Sequence, residues 1–154
     1  MKQGVCSGVT EPNRASKLHD MNIIAKKWLD YAKADLEAAG ILMEHPKSSW
    51  SYQLAVLHCH QAIEKLLKTV IVSKGEEVYK IHDIVRLAEM SKLELSPESQ
   101  EYLKELNAHY QPSRYPDISY KGPILKYNEE TVKYHFEKTR ELFLWIEKNL
   151  MLKN

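Results

Sequence analysis

The chain has 154 residues, a length that favours a single domain with one hydrophobic core. Its 22 basic and 21 acidic side chains give a net charge of +1, which argues against a protein that coats nucleic acid by charge alone but leaves room for a local basic site. With 28% charged and 44% hydrophobic residues, the composition is typical of a folded globular protein rather than a disordered chain.

The cysteines and the short apolar runs predict the cellular compartment of the protein. Cys6 lies among small polar residues and Cys59 in a strongly helical segment, which does not suggest a disulfide framework and predicts a reduced, cytoplasmic protein. The longest apolar run covers residues 142–146, so the sequence predicts no membrane span.

The first predicted helix follows a segment without apolar periodicity. We assign residues 1–21 to a disordered tail and residues 22–154 to one helical domain. From Asn22 to Pro46 the apolar positions recur at helical spacing, and the stripe that we expect to be buried comprises Ile24, Trp28, Tyr31, Ala32, Ala39 and Leu42.

Capping residues and prolines predict the remaining helices. Ser48 or Ser49 begins a second helix that runs to about Lys74 and ends at Gly75. A short helix over Ile84 to Met90 is predicted to start at Asp83, and a further helix at Ser96-Pro97. A last helix is predicted to start at Asn128, and the residues on its apolar face are Val132, Phe136, Thr139, Phe143, Ile146 and Leu150. Pro112, Pro116 and Pro123 are expected to forbid regular helix between the last two.

No segment alternates with the period of a strand. The sequence therefore predicts an all-α fold, an up-and-down bundle of four main helices plus a short one.

In the last helix the apolar run 142–146 covers more than one turn, so one core cannot receive all five side chains. We therefore expect a homodimer to which this helix contributes.

A polar stripe on the second helix is the first candidate site. It comprises His58, Gln61, Lys65 and Lys68, at spacings of three and four residues. It is either a solvated face or the cationic wall of an anion site. Asp35 interrupts an apolar neighbourhood of the first helix, and we expect it to pair with Lys65 or Lys68.

The segment 110–117 is the second candidate site. Arg114 and Tyr115 offer a phosphate-binding fork beside an aromatic face, and Pro116 limits the freedom of the loop. Asp117 is expected to hold Arg114 rather than to touch an anionic ligand. We predict that this loop and the second-helix stripe converge on one anion; the alternative is that Arg114 and Asp117 only fasten the loop.

Metal and cofactor sites are not predicted. In His58-Cys59-His60 successive helical residues point about 100° apart and cannot bind one ion together. His82-Asp83 is interpreted as a helix start rather than a catalytic dyad. The sequence has no glycine-rich phosphate loop and no nucleophile motif.

Taken in order, these stretches resemble the HEPN family of small helical domains. The resemblance covers residues 22 to about 150 and is carried by WLDYAKADL at 28–36, HCHQAIEKLLK at 58–68, HDI at 82–84, Tyr110, and RYPD at 114–117. It implies a helical bundle that usually dimerises and a toxin–antitoxin context beside a minimal nucleotidyltransferase. Many members are metal-independent endoribonucleases with an Arg followed, after four to six residues, by a His.

This chain departs from that ribonuclease signature, because no His follows Arg114 within range. We therefore expect a noncatalytic protein that binds a nucleotide or RNA without a cofactor, paired with a nucleotidyltransferase. The ligand-binding residues would be Asp35, His58, Gln61, Lys65, Lys68, Arg114, Tyr115 and Asp117. One alternative is a ribonuclease toxin that uses Arg114 with His58 or His109; another is a purely structural, partner-binding bundle.

Overall fold

The described part of the chain is entirely helical apart from turns and connections. A computed structural model describes residues 21–78, 80–121 and 125–152. Its helices are α1 (Ile23–Glu44), α2 (Ser49–Ser73), α3 (Ile84–Ser91), α4 (Pro97–Asn107), α5 (Tyr110–Arg114), α6 (Pro116–Lys121) and α7 (Glu129–Leu152). These ranges contain no strand, which confirms the predicted all-α class. None of these helices combines the length and apolarity needed to cross a bilayer.

The helix starts follow the caps predicted at Asp83, Ser96 and Asn128, and Asn22, which was not predicted as a cap, also acts as one. The side chains of Asn22, Asp83 and Ser96 accept hydrogen bonds from backbone N–H groups at the starts of α1, α3 and α4, and Asn128 accepts one from Thr131 at the start of α7. Gly75 follows α2 with a φ of 77°, a left-handed conformation that glycine adopts without strain.

The expectation that prolines prevent helix after α4 is wrong. Pro112 lies in the first turn of α5, and Pro116 is the first residue of α6. The N–H groups of a first turn have no acceptor within their own helix, so proline loses nothing there. Pro123 lies outside the described residues.

Helix α2 occupies the centre of the bundle. It packs against α1, α7, α3 and α5, and α1 and α2 form an antiparallel pair joined by four residues, 45–48. The largest side chains that are less than 2% exposed include Leu29, Ile63, Leu66, Leu67 and Ile146. A helix covered on several sides leaves few solvated positions, so polar residues on α2 must find partners inside the protein.

The buried face of α1 is rotated from the predicted one. Ala32 and Ala39 are buried as expected, but Ile24 and Tyr31 are 55% and 63% exposed. Ala25 and Leu29 take the inner positions instead. Small alanines let α1 approach α2 closely, which moves the large side chains to the flank of the contact.

The first described residue, Met21, and the apolar run of α7 bear on two further expectations. Met21, which we placed in the tail, is 9% exposed and belongs to the core, while residues 1–20 lie outside the described range. In α7, Phe143 and Ile146 face the bundle, as predicted. Leu144 and Trp145 stay 55% and 39% exposed, so this chain alone does not cover the apolar run.

Candidate functional site

Asp35 joins α1 to α2 through two polar contacts. It is only 7% exposed. His58 Nδ1 lies 2.8 Å from Asp35 Oδ1, and the Lys65 ammonium donates to Oδ2. Burial opposes ionisation of Asp35, but the hydrogen bonds from His58 and Lys65 outweigh it and keep the pKa of Asp35 below its usual value. The predicted pairing is confirmed with Lys65, not with Lys68.

Glu64, the residue before Lys65 on α2, organises a second polar cluster. Glu64 and Lys68 are 5% and 4% exposed and form an ion pair of 2.7 Å. His82 Nδ1, from the segment before α3, lies 3.1 and 3.2 Å from the two carboxylate oxygens of Glu64. The interpretation of this stripe as a solvated face is therefore wrong for Lys68.

A neutral histidine links this cluster to α4. His60 is fully buried, and its Nε2 lies 3.3 Å from the side-chain oxygen of Asn107. The same oxygen accepts from the Ile84 N–H, and the Asn107 amide nitrogen donates to Asp83. Burial lowers the pKa of His60 to about 4, although the hydrogen bond to Asn107 and the charge of Glu64 act in the opposite direction.

Tyr110 connects the polar cluster of α2 to Arg114. The Tyr110 ring lies 5.0 Å from the His82 ring, nearly parallel to it, and 4.6 Å from the His60 ring. The Arg114 guanidinium lies 5.0 Å from the Tyr110 ring centre and donates to the Tyr110 hydroxyl. A continuous series of contacts therefore runs from Lys68 through Glu64 to the segment that carries Arg114.

Arg114 differs from the two lysines in its charge balance. Lys65 and Lys68 each have a carboxylate partner, in Asp35 and Glu64. Arg114 has none among the described residues, since its polar partner is the neutral Tyr110. The prediction that Asp117 holds Arg114 is wrong: Asp117 is exposed, in the first turn of α6. Among the described residues, Arg114 is therefore a cation without a neutralising carboxylate.

Two other predicted residues lie close to these contacts. Tyr115 is 46% exposed, and the Arg114 guanidinium lies 5.7 Å from its ring centre. Gln61 is half-buried on α2, one turn from both His58 and Lys65.

A cavity of about 530 Å³ opens beside Tyr110. Its walls include His82, Asp83, Asn107, Tyr110, Gln111 and Ile118, so charged, amide, aromatic and aliphatic groups surround one space. This volume lies in the range of small-molecule sites.

Sequence reasoning missed the centre of this arrangement. The predicted stripe does not include Glu64, His60 is considered only as a metal ligand, and His82 is interpreted as part of a helix start. Glu64 and His82 are 18 residues apart, and no spacing rule joins them. Glu64 lies in the stretch 58–68 that carried the family resemblance, and that was the available signal.

Metal binding finds no support in the ranges that the structure describes. No group of three or more His, Cys, Asp or Glu side chains there is placed to hold an ion. Cys59 is buried, and burial raises the pKa of its thiol to about 12, which makes it a poor ligand and a poor nucleophile.

Comparison with known proteins adds a family and a fold. A model of the HEPN domain matches residues 25–149. The crystal structure of TT1696 from Thermus thermophilus is similar, with 24% identity, a TM-score of 0.64, and coverage of 80% of this chain and 96% of that one. ST0689, an archaeal HEPN homologue, has 25% identity, a TM-score of 0.63, and coverage of 82% and 97%. A search of curated proteins gave no match.

Proposed function

This chain belongs to the HEPN domain family, and we propose that within it the protein is a noncatalytic module that binds a nucleotide or RNA through Arg114. The observation that carries the proposal is the exposed Arg114 guanidinium, which rests on two tyrosine rings and has no carboxylate partner in the described part of the chain. A planar fork of donors matches phosphate, and the exposed Tyr115 ring offers a stacking surface for a neighbouring base when the ligand is RNA.

Lys65 and Lys68 have an indirect part in this proposal. Because Asp35 and Glu64 neutralise them, they add little net charge to the site. Their contacts hold α1, α2 and His82 in place, and His82 in turn stacks on Tyr110. The rigid support lowers the ordering cost of binding at Arg114.

The proposal includes a protein context. We expect a homodimer formed through the exposed Leu144 and Trp145 of α7, and a nucleotidyltransferase as partner in a toxin–antitoxin-like pair. Sedimentation at micromolar concentration tests the first expectation: wild type should sediment as a dimer and Trp145→Glu as a monomer. A strict monomer of the wild type would contradict it.

The pairing of Glu64 with His82 favours a second candidate function, metal-independent cleavage of RNA. Glu64 occupies His82 Nδ1, and the imidazole is about half exposed, so Nε2 is available to exchange a proton with a ribose hydroxyl. His82 is a better candidate than the two histidines first considered. His58 is bonded to Asp35, while His109 is buried against Tyr127 and burial lowers its pKa to about 4.

Arg114→Lys tests the binding proposal. Lysine keeps the charge but loses the bidentate fork, so affinity for nucleoside monophosphates or short RNA should fall at least about tenfold, about 1.4 kcal/mol. The melting temperature should stay close to wild type. Arg140→Lys, at an exposed position of α7, is the matched control and should leave affinity unchanged. A lower melting temperature with unchanged binding, or no binding by the wild type, would refute the proposal.

A nuclease assay with a chelator present separates the two candidates. If the protein only binds, RNA remains intact. If His82 transfers protons, the wild type cleaves RNA without metal, and His82→Gln abolishes cleavage while binding persists.

A further inference from the structure

Asp83 lines the cavity beside Tyr110, and only one of its two carboxylate oxygens accepts hydrogen bonds from the described residues. Its Oδ1 accepts from the backbone N–H groups of Val85 and Arg86, at 3.0 and 3.1 Å, and from the Asn107 amide at 3.2 Å. Oδ2 accepts no hydrogen bond from any of the described residues. Three hydrogen bonds thus fix the carboxylate of a residue that lines the cavity, and its second oxygen is left as an acceptor for a ligand.

We propose that Asp83 reads the base of the bound nucleotide and selects bases with an amino group (adenine, guanine or cytosine) over uracil. The inference rests on the proposed function and names the substrate class of the same site. It assigns the Arg114 side of Tyr110 to the phosphate and the cavity side to the base.

The charge distribution sets this orientation. A carboxylate repels phosphate, so the anionic end of the ligand is directed away from Asp83 and toward the unneutralised Arg114. Tyr110 lies between Asp83 and Arg114, since it lines the cavity and the Arg114 guanidinium lies over its ring. About 530 Å³ is enough for a nucleoside, and Ile118 supplies an aliphatic wall for a base plane.

The hydrogen-bonding sense of the free oxygen sets the base preference. A carboxylate oxygen accepts only, so it favours an edge that carries amino hydrogens. The single N–H of uracil lies between two carbonyl oxygens, and those would face the carboxylate charge. The exposed Gln111 amide can donate or accept and therefore adds contact without opposing this selection.

Asp83→Asn is a nearly isosteric test. Asparagine caps helices as well as aspartate does, so Oδ1 can keep its three donors and α3 keeps its start. The change converts the free acceptor into a donor. Asp30→Asn is the matched control, because it removes the same charge from an exposed carboxylate of α1 that does not line the cavity.

The measurement is the affinity of wild type, Asp83→Asn and Asp30→Asn for AMP, GMP, CMP and UMP by calorimetry. Wild type and Asp30→Asn should bind the three amino-bearing nucleotides about tenfold more tightly than UMP. Asp83→Asn should lose or reverse that preference with an unchanged melting temperature. Comparison of AMP with deoxy-AMP shows whether Asp83 contacts the ribose instead.

Each outcome decides the assignment. Equal affinity of the wild type for all four nucleotides, or a preference that survives Asp83→Asn, overturns the base assignment while the binding function stands. A preference for ribose over deoxyribose that Asp83→Asn abolishes, without base discrimination, also overturns it. Absence of binding by the wild type refutes the proposed function and this inference together.

Discussion

Lowering the pH from about 7 to about 5 should destabilise the protein through His60. This side chain has no exposed surface, and burial lowers its pKa from 6.5 to about 4. In the unfolded chain the imidazole takes up a proton near pH 6.5, whereas the folded protein resists protonation until about pH 4. The unfolded state therefore binds more protons in this window, and stability falls as the pH falls.

The shift sets the size of the effect. Linkage between a pKa of 6.5 and one of about 4 gives a loss of about 2 kcal/mol in unfolding free energy on going from pH 7 to pH 5. Asp35 does not obscure this window, because its pKa lies below the usual carboxyl value and it stays ionised. Burial also lowers the pKa values of His109 and His135 to about 4, so the wild type should lose more than His60 alone accounts for.

Urea unfolding of matched variants isolates the contribution of His60. His60→Gln cannot titrate, so it should lose about 2 kcal/mol less than the wild type between pH 7 and pH 5. His45→Gln, at an exposed position after α1, should follow the wild type. Parallel curves for wild type and His60→Gln would refute the reasoning, as would an NMR titration in which the His60 ring protonates near pH 6.5.

Two further side chains give direct expectations. Asp35→Ala leaves Lys65 without its carboxylate and should cost about 2 kcal/mol in urea unfolding, between the values typical of exposed and of buried ion pairs, because Lys65 is partly exposed. Asp30→Ala, at an exposed position of the same helix, should be nearly neutral, and equal effects would contradict the buried pairing. The second expectation concerns Cys59, studied in a Cys6→Ser variant so that it is the only thiol. Because burial raises the pKa of the Cys59 thiol to about 12, this thiol should react with a thiol reagent at neutral pH only after urea unfolds the protein. Fast labelling of the folded protein would contradict this and show an accessible thiol.

The fold was largely predictable because its signals are local. Asn22, Asp83, Ser96 and Asn128 cap helices through atoms within three residues of themselves, and such contacts depend on spacing alone. The rotation of α1 was not predictable in the same way. Apolar stripes on two flanks of one helix compete for the core, and the approach distance to α2 decides which one is buried.

The candidate site was predictable only in its outer parts. Arg114 and Asp35 were identified because each is a charge in an unusual local setting. The joining of Glu64 to His82, and of His82 to Tyr110, depends on where α3 and α5 lie against α2. Tertiary packing determines that placement, and no periodicity in one segment encodes it.

The neutralised lysines lead to a final expectation about salt. If Lys65 and Lys68 bound phosphates, several counterions would be released on binding, and affinity for single-stranded RNA would fall steeply with salt. Because both are paired with carboxylates, we expect Arg114 to be the one phosphate contact among the described residues of this site. The logarithm of the association constant should then fall with the logarithm of salt concentration with a slope of about −0.7, and Arg114→Lys should change the affinity more than the slope. A slope steeper than about −2 would mean that the lysines leave their carboxylates and contact the ligand.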